Sequence, residues 1–277
     1  MNPLWITQIM AVLRLEIRKT FLSKRGFWIY FLALMPVVMF VGKSIVDLEL
    51  QRRPNFGEDT TVFATVFQLF YLRLAVFFGC VGIFINLFRG EVLDKSLHYY
   101  FLAPIRREVL LAGKFLAGLV ATCIIFATST MLQIAGLYWS EGWRVFSDYL
   151  LNGNGLSHIA SYLGATVLAC IGYGSIFLAA GIVFKNPLIP VGAILLWESI
   201  NSFLPSLLQK ISVIYYLKSL CPIQITPEAG TFFAILSINA DPMPSYIAIP
   251  GVLLVASAVL VAASFQVRRM EINYATE

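Results

Sequence analysis

Six apolar stretches, at about residues 27–46, 63–88, 115–138, 159–184, 188–208 and 246–267, constrain this chain more than any other feature. Each is near the roughly 20 residues that a helix needs to cross hydrocarbon. Of the 277 residues, 59% are hydrophobic and 13% charged, so a soluble core could not hide the apolar surface. Lipid offers no partners for open backbone groups, so the stretches read as helices. The ten-residue alternation of a membrane barrel is not seen. The expected fold is an all-α polytopic membrane protein.

Lysine and arginine orient it. With the N-terminus in the cytoplasm, thirteen of the twenty basic residues fall on inner segments and six on outer ones, and Arg73 lies within a span. Both termini are therefore expected in the cytoplasm, and the multi-pass chain in the cell (inner or plasma) membrane. Residues 1–26 form an N-terminal interfacial helix, with Ile6, Met10, Leu13 and Ile17 as its apolar stripe and Arg14, Arg18 and Lys19 off it. Residues 27–267 form the six-span domain, and 268–277 a cytoplasmic tail. The connection 209–245 is too polar and too rich in proline for a full span. It reads either as short helices dipping into the outer leaflet or as a folded outer loop.

The net charge of +5 is a topological signal and does not indicate nucleic acid. Cys80, Cys123 and Cys170 read as small hydrophobes within spans, and Cys221 falls in a loop. His98 and His158 lie on opposite sides of the membrane under this topology and cannot share a metal. No phosphate loop, HExxH or GxSxG occurs, although Gly172-Tyr173-Gly174-Ser175 comes near the last. Those glycines read as helix-packing positions. The chain is expected to be non-catalytic and to bind no cofactor.

Two groups of residues carry functional information. The first is 89–114, a patterned segment too long for an ordinary loop. Glu91 opens an amphipathic helix that Pro104 ends, and Ile105 to Lys114 lead into the third span. Glu91, Asp94, Lys95, Arg106 and Arg107 are expected to make charged contacts with a soluble partner. Tyr99, Tyr100 and Phe101 are expected to fill an apolar cleft on it. The second group is a pair of buried charges, Arg73 and Glu198, each about 15 Å deep by helical rise. An isolated charge there is costly, so equal depth and opposite sign predict a partnership. The pair either lines or gates a pathway, or fixes helix register. Gln68 and Asn201 add polarity to the same two spans.

The 89–114 segment resembles the cytoplasmic loop of permease subunits of type-2 ATP-binding-cassette (ABC) exporters. That loop commonly reads E-R-E-x-G-T-L-E-x-L-L-x-x-P, then V-S-R-x-E-L-L-x-G-K. Glu91, Leu97, Pro104, Arg107, Gly113 and Lys114 fall at matching places, with Ser96 for the usual threonine. Lys95, His98 and Arg106 depart from the pattern. The resemblance implies a coupling helix between spans two and three that receives a cytoplasmic ABC ATPase subunit, with ATP and Mg on that partner. It also implies a second membrane subunit, identical or related, and an export pathway between the two. An ion-coupled secondary transporter and an intramembrane enzyme are the alternatives. The first would need symmetric broken helices, and the second clustered Asp, His or Ser groups.

Overall fold

A computed structural model describes residues 3–22, 26–50, 56–94, 96, 100, 102, 105–139, 142–200, 206–223 and 243–269. Lys95, Leu97, Phe101, Pro104 and Asn201, all singled out above, lie outside the described residues, as do His98 and Tyr99.

Helix is the only regular structure among the described residues, with no strand among them. Helix α1 covers Pro3–Leu22 and α2 Phe27–Glu49. Helix α3 runs continuously over Gly57–Leu93, α4 over Arg107–Tyr138, and a short α5 over Trp143–Leu151. Helix α6 covers Gly155–Val183 and α7 Leu188–Ile200. Two short pieces, α8 (Ser206–Gln209) and α9 (Val213–Leu220), precede α10 (Ser245–Arg268). Five of these, α2, α3, α4, α6 and α10, are long and apolar enough to cross a membrane. This is a helical membrane protein.

The fifth expected span is described in part: α7 covers Leu188–Ile200 and α8 Ser206–Gln209, and residues 201–205 between them lie outside the described residues.

The core lies around α3 and α6, whose apolar windows are each 72% buried, against 28% for α2 and 22% for α10. Aromatic residues of α3 fill it. Phe67 meets Tyr162 edge-on at 4.8 Å between ring centroids, and Phe77 meets Phe177 at 4.9 Å. Over Phe67–Val76 and Val81–Gly90 the α3 backbone takes the wider π spacing. Such stretches are rare and uncommonly long here, since most are single turns inside α-helices.

Glycines admit these large side chains. Phe84 sits where a Cβ on Gly118 or on Gly174 would stand 2.7 or 2.5 Å from its ring. At Gly181 the neighbour is backbone: a Cβ would stand 3.0 Å from the Ile85 oxygen and 3.1 Å from its Cα. Close backbone approach of this kind is how membrane helices gain packing energy. Gly181→Ala is therefore expected to destabilise the protein by about 1–3 kcal/mol, because a backbone cannot rotate aside. Gly164, with nothing within 4 Å of its would-be Cβ, is the control, and Gly164→Ala should be neutral or better. Thermal unfolding of both variants in detergent checks this; equal midpoints would contradict the close α3–α6 approach.

Candidate functional site

The 89–114 segment is rooted in an ion cluster that the sequence reading did not anticipate. Helix α1 packs along the start of α4, with Val12 seated on Gly113, where a Cβ would come within 3.0 Å. One residue on, Lys114 points inward and is fully buried. Its ammonium donates to Glu16 Oε1 at 2.6 Å, Glu91 Oε2 at 2.7 Å and the Leu87 carbonyl at 2.9 Å. It also lies 4.8 Å from the Tyr100 ring centroid and 5.4 Å from that of Phe88. The Tyr100 hydroxyl donates to Glu16 at 3.1 Å, and Lys19 adds a second cation 3.0 Å from Glu91. Glu16 is 2% exposed and Glu91 1%.

The arrangement follows electrostatic necessity. Three charges buried this deeply would each be costly alone, and together they compensate. An ammonium has three donors, and here all three are used. For Glu16, burial acts to raise the carboxyl pKa, but the attraction and hydrogen bond of Lys114 outweigh it and leave the pKa below its ordinary value. The Tyr100 phenol is held well above its ordinary range, by burial first and then by Glu16 and Glu91. The cluster therefore ties α1, the end of α3, the segment itself and the start of α4 into one unit.

Two of the residues expected to make charged contacts with a partner, Glu91 and Arg107, have partners within the chain. Glu91 faces Lys114 inside the fold. Arg107 is also turned inward, donating to the carbonyls of Val267 at 3.2 Å and Arg268 at 2.9 Å. It thereby satisfies the open carbonyl end of α10 and meets the negative end of that helix dipole. Beside it, Glu108 and Arg268 form an ion pair. Among the described residues of the segment, Leu93, Asp94, Leu102 and Arg106 face outward, with Leu102 80% exposed. Arg106 lies over the Trp5 ring at 5.1 Å. Ser96 bonds back to the Glu91 carbonyl through its N–H at 2.9 Å. Tyr100 is half-buried against the cluster, so its ring supports the segment from within.

Neither a protein-family model nor a curated protein matches this chain.

The second site is the buried pair. Arg73 and Glu198 do meet, at 3% and 2% exposure, but not carboxylate to guanidinium. Arg73 Nη2 donates to the main-chain carbonyl of Glu198 at 3.0 Å. The Glu198 carboxylate turns the other way. It accepts from Ser212 Oγ at 2.5 Å and from the N–H groups of Val213 and Ile214 at 3.1 and 3.2 Å. An anion is thus placed on the open N–H groups and positive dipole end of α9. Gln68 holds the far end, its amide donating to the Ile223 carbonyl at 2.7 Å. Three of the four expected pathway residues therefore clasp the α7–α9 excursion onto α3, and the fourth, Asn201, lies outside the described residues.

Two residues missed above, Glu16 and Ser212, complete these sites. Glu16 is the one acid of α1, set among Arg14, Arg18 and Lys19. A lone carboxylate in a basic amphipathic helix was a readable signal. Ser212, just ahead of the apolar run at 213–217, stands at the N-cap position where serine is favoured. Among the described residues no group of three or more His, Cys, Asp or Glu is placed to hold a metal. His158 shares a 2.7 Å hydrogen bond with the Tyr149 hydroxyl.

Proposed function

We propose that this protein is the membrane subunit of an ATP-driven exporter of the type-2 ABC class. Both termini and the 89–114 segment are cytoplasmic, and a separate ATPase subunit that carries ATP and Mg docks on that segment. A second membrane subunit, a copy or a relative, completes the pathway. One observation carries this reading: the segment has an exposed tip and an immobilised root. Leu93, Asp94, Leu102 and Arg106 face outward. Behind them Lys114 locks Glu16 and Glu91 into one buried unit with α1 and α4. A partner pushing on the tip moves α1, α3 and α4 together, because the buried charges cannot separate without losing their compensation. The resemblance of 89–114 to type-2 loops supports the same reading.

The test is a cysteine at the tip. Leu102→Cys is expected to react with a membrane-impermeant maleimide only in inside-out vesicles. It is also expected to cross-link to a soluble subunit bearing a phosphate loop, with a yield that changes with nucleotide. Labelling from the outer side rules the reading out.

An ion-coupled secondary transporter is favoured by one feature: buried charge where α7 meets the N-terminus of α9. Against it, the α9 N-terminus is already filled by the chain's own Glu198. Substrate movement by the purified protein without any ATPase would decide for that alternative.

A further inference from the structure

We propose that the cavity where α5 folds back over the end of α4 binds the choline headgroup of a lipid from the leaflet opposite the 89–114 segment. From Lys114 to Trp139 is about 37 Å along a helix of ordinary rise. That exceeds a hydrocarbon core of about 30 Å, so the two residues lie at opposite membrane interfaces. Gly142 reverses the chain beyond α4 with φ 84° and ψ 152°, a conformation that only glycine adopts without strain. Between α4 and α5 lies a cavity of about 280 Å³, lined by Ala135, Tyr138, Trp139, Gly142 and Phe146. Its walls are fixed. Tyr138 is 8% exposed, and its ring centroid lies 5.4 Å from that of Phe146 and 5.8 Å from that of Tyr149. The Tyr149 hydroxyl in turn shares its hydrogen bond with His158 of α6, so α5 is held to two helices.

The lining narrows the ligand. Among the described residues three of the five are aromatic and none is charged. Aromatic rings attract cations through their faces. The cavity also lies at the carbonyl end of α4, where the helix dipole is negative. Two carbonyls of that turn, those of Gly136 and Leu137, already accept from Ser44. A primary ammonium would have to withdraw three N–H groups from water, and the Tyr138 hydroxyl is the one side-chain acceptor among the described lining residues. A quaternary ammonium has no N–H group to leave unpaired, so it is the cation that suits these walls. The surface of α4 points to lipid as its source. Ile124, Met131, Leu132 and Ala135 are exposed at helical spacing and form an apolar stripe from the middle of the helix to the cavity. Trp139, 76% exposed, continues it. Acyl chains lie along that stripe while the headgroup enters. Arg144, exposed on the first turn of α5 and outside the lining, is a counter-charge for the lipid phosphate.

The experiment is native mass spectrometry of the full chain after equilibration with vesicles holding equal amounts of three lipids. These are phosphatidylcholine, phosphatidylethanolamine, and the phospholipid headed by 3,3-dimethylbutanol, the uncharged isostere of choline. One phosphatidylcholine is expected to be retained with about tenfold preference over either other lipid, the size of one desolvated cation–π contact. Trp139→Leu, at an exposed position, should remove most of that preference. Should that variant fail to fold, Ala135→Leu, which fills the cavity and leaves all three rings in place, is expected to give the same loss. Equal retention of phosphatidylcholine and its uncharged isostere would show a merely apolar cavity and overturn the proposal, as would an unchanged preference in Trp139→Leu. Full displacement of the lipid by an equal concentration of soluble choline would assign the site to a free cation and overturn the lipid assignment. The readout needs no ATPase, so it stands or falls apart from the exporter reading.

Discussion

Lys114→Met is expected to be among the most damaging single substitutions in this protein, costing about 3–5 kcal/mol of stability, or on the order of 10 °C in unfolding midpoint for a chain of this size. Methionine fits the space but leaves Glu16 and Glu91 buried without their common cation. The cost is that of uncompensated charge and not of a cavity, which makes a specific rescue available. The triple variant Lys114→Met, Glu16→Gln, Glu91→Gln removes all three charges at nearly constant volume and should regain most of the lost stability. Thermal unfolding of the native chain, the single variant and the triple variant in one detergent measures it. A triple variant no better than the single one would show that packing, not charge, holds α1 to α4.

The same cluster sets a pH dependence. Because the Glu16 pKa is lowered in the folded protein, its contribution is fully present above the ordinary carboxylate value of 4.5. It is lost as pH falls from there through the lower folded-state value, since the folded state then has to take up a proton it disfavours. Glu91, whose pKa burial raises, works in the opposite sense, its contribution falling as pH rises through its folded-state value. The Glu16 part is therefore read as a difference: below about pH 4.5 the unfolding midpoint of the native chain should fall relative to that of Glu16→Gln.

Exchanging the charges of Arg73 and Glu198 is expected to fail. Simple opposite-charge partners would let Glu198→Arg rescue Arg73→Glu. In this fold Arg73 is bound to the Glu198 main chain, which every residue possesses, while the carboxylate caps α9. The double variant should therefore lose both interactions: a glutamate at 73 would face a carbonyl, and an arginine at 198 would face the positive end of a helix. Each single change buries a charge without compensation, at about 3–5 kcal/mol. The double should be no better than the worse single. Glu198→Gln should cost less, about 1–3 kcal/mol, because an amide oxygen can still accept one of the three hydrogen bonds. Folded yield and thermal midpoint separate the outcomes, and recovery in the double variant would restore the direct ion pair.

Much of this could be read from residue order, and what could not has a common cause. Helices α2, α4, α6 and α10 coincide with apolar runs, and their ends differ from expectation by a few residues. The largest such difference is α4, which starts at Arg107 rather than near residue 115 because Lys114 is drawn inside. The glycines of α6 were legible as packing positions, and Gly172, Gly174 and Gly181 each receive a neighbour. The internal partners of Glu91, Arg107 and Lys114 could not be read, because a charge beside an aqueous loop looks solvent-facing in one dimension.

Membrane residence and helical form are thus properties of the sequence itself. Hydrocarbon leaves a long apolar segment no other way to satisfy its backbone, so a local count of residues suffices. Which groups meet, atom by atom, belongs to the tertiary structure. Lys114 and Glu16 are 98 positions apart, and no spacing along a helix joins them. Arg73 and Glu198, 125 apart, were expected to meet from equal depth, but only packing decided that the guanidinium takes the Glu198 main chain and not its carboxylate. Each contact exists because large side chains and glycines bring particular helix faces together, and a buried charge then takes whatever partner the packing places within reach.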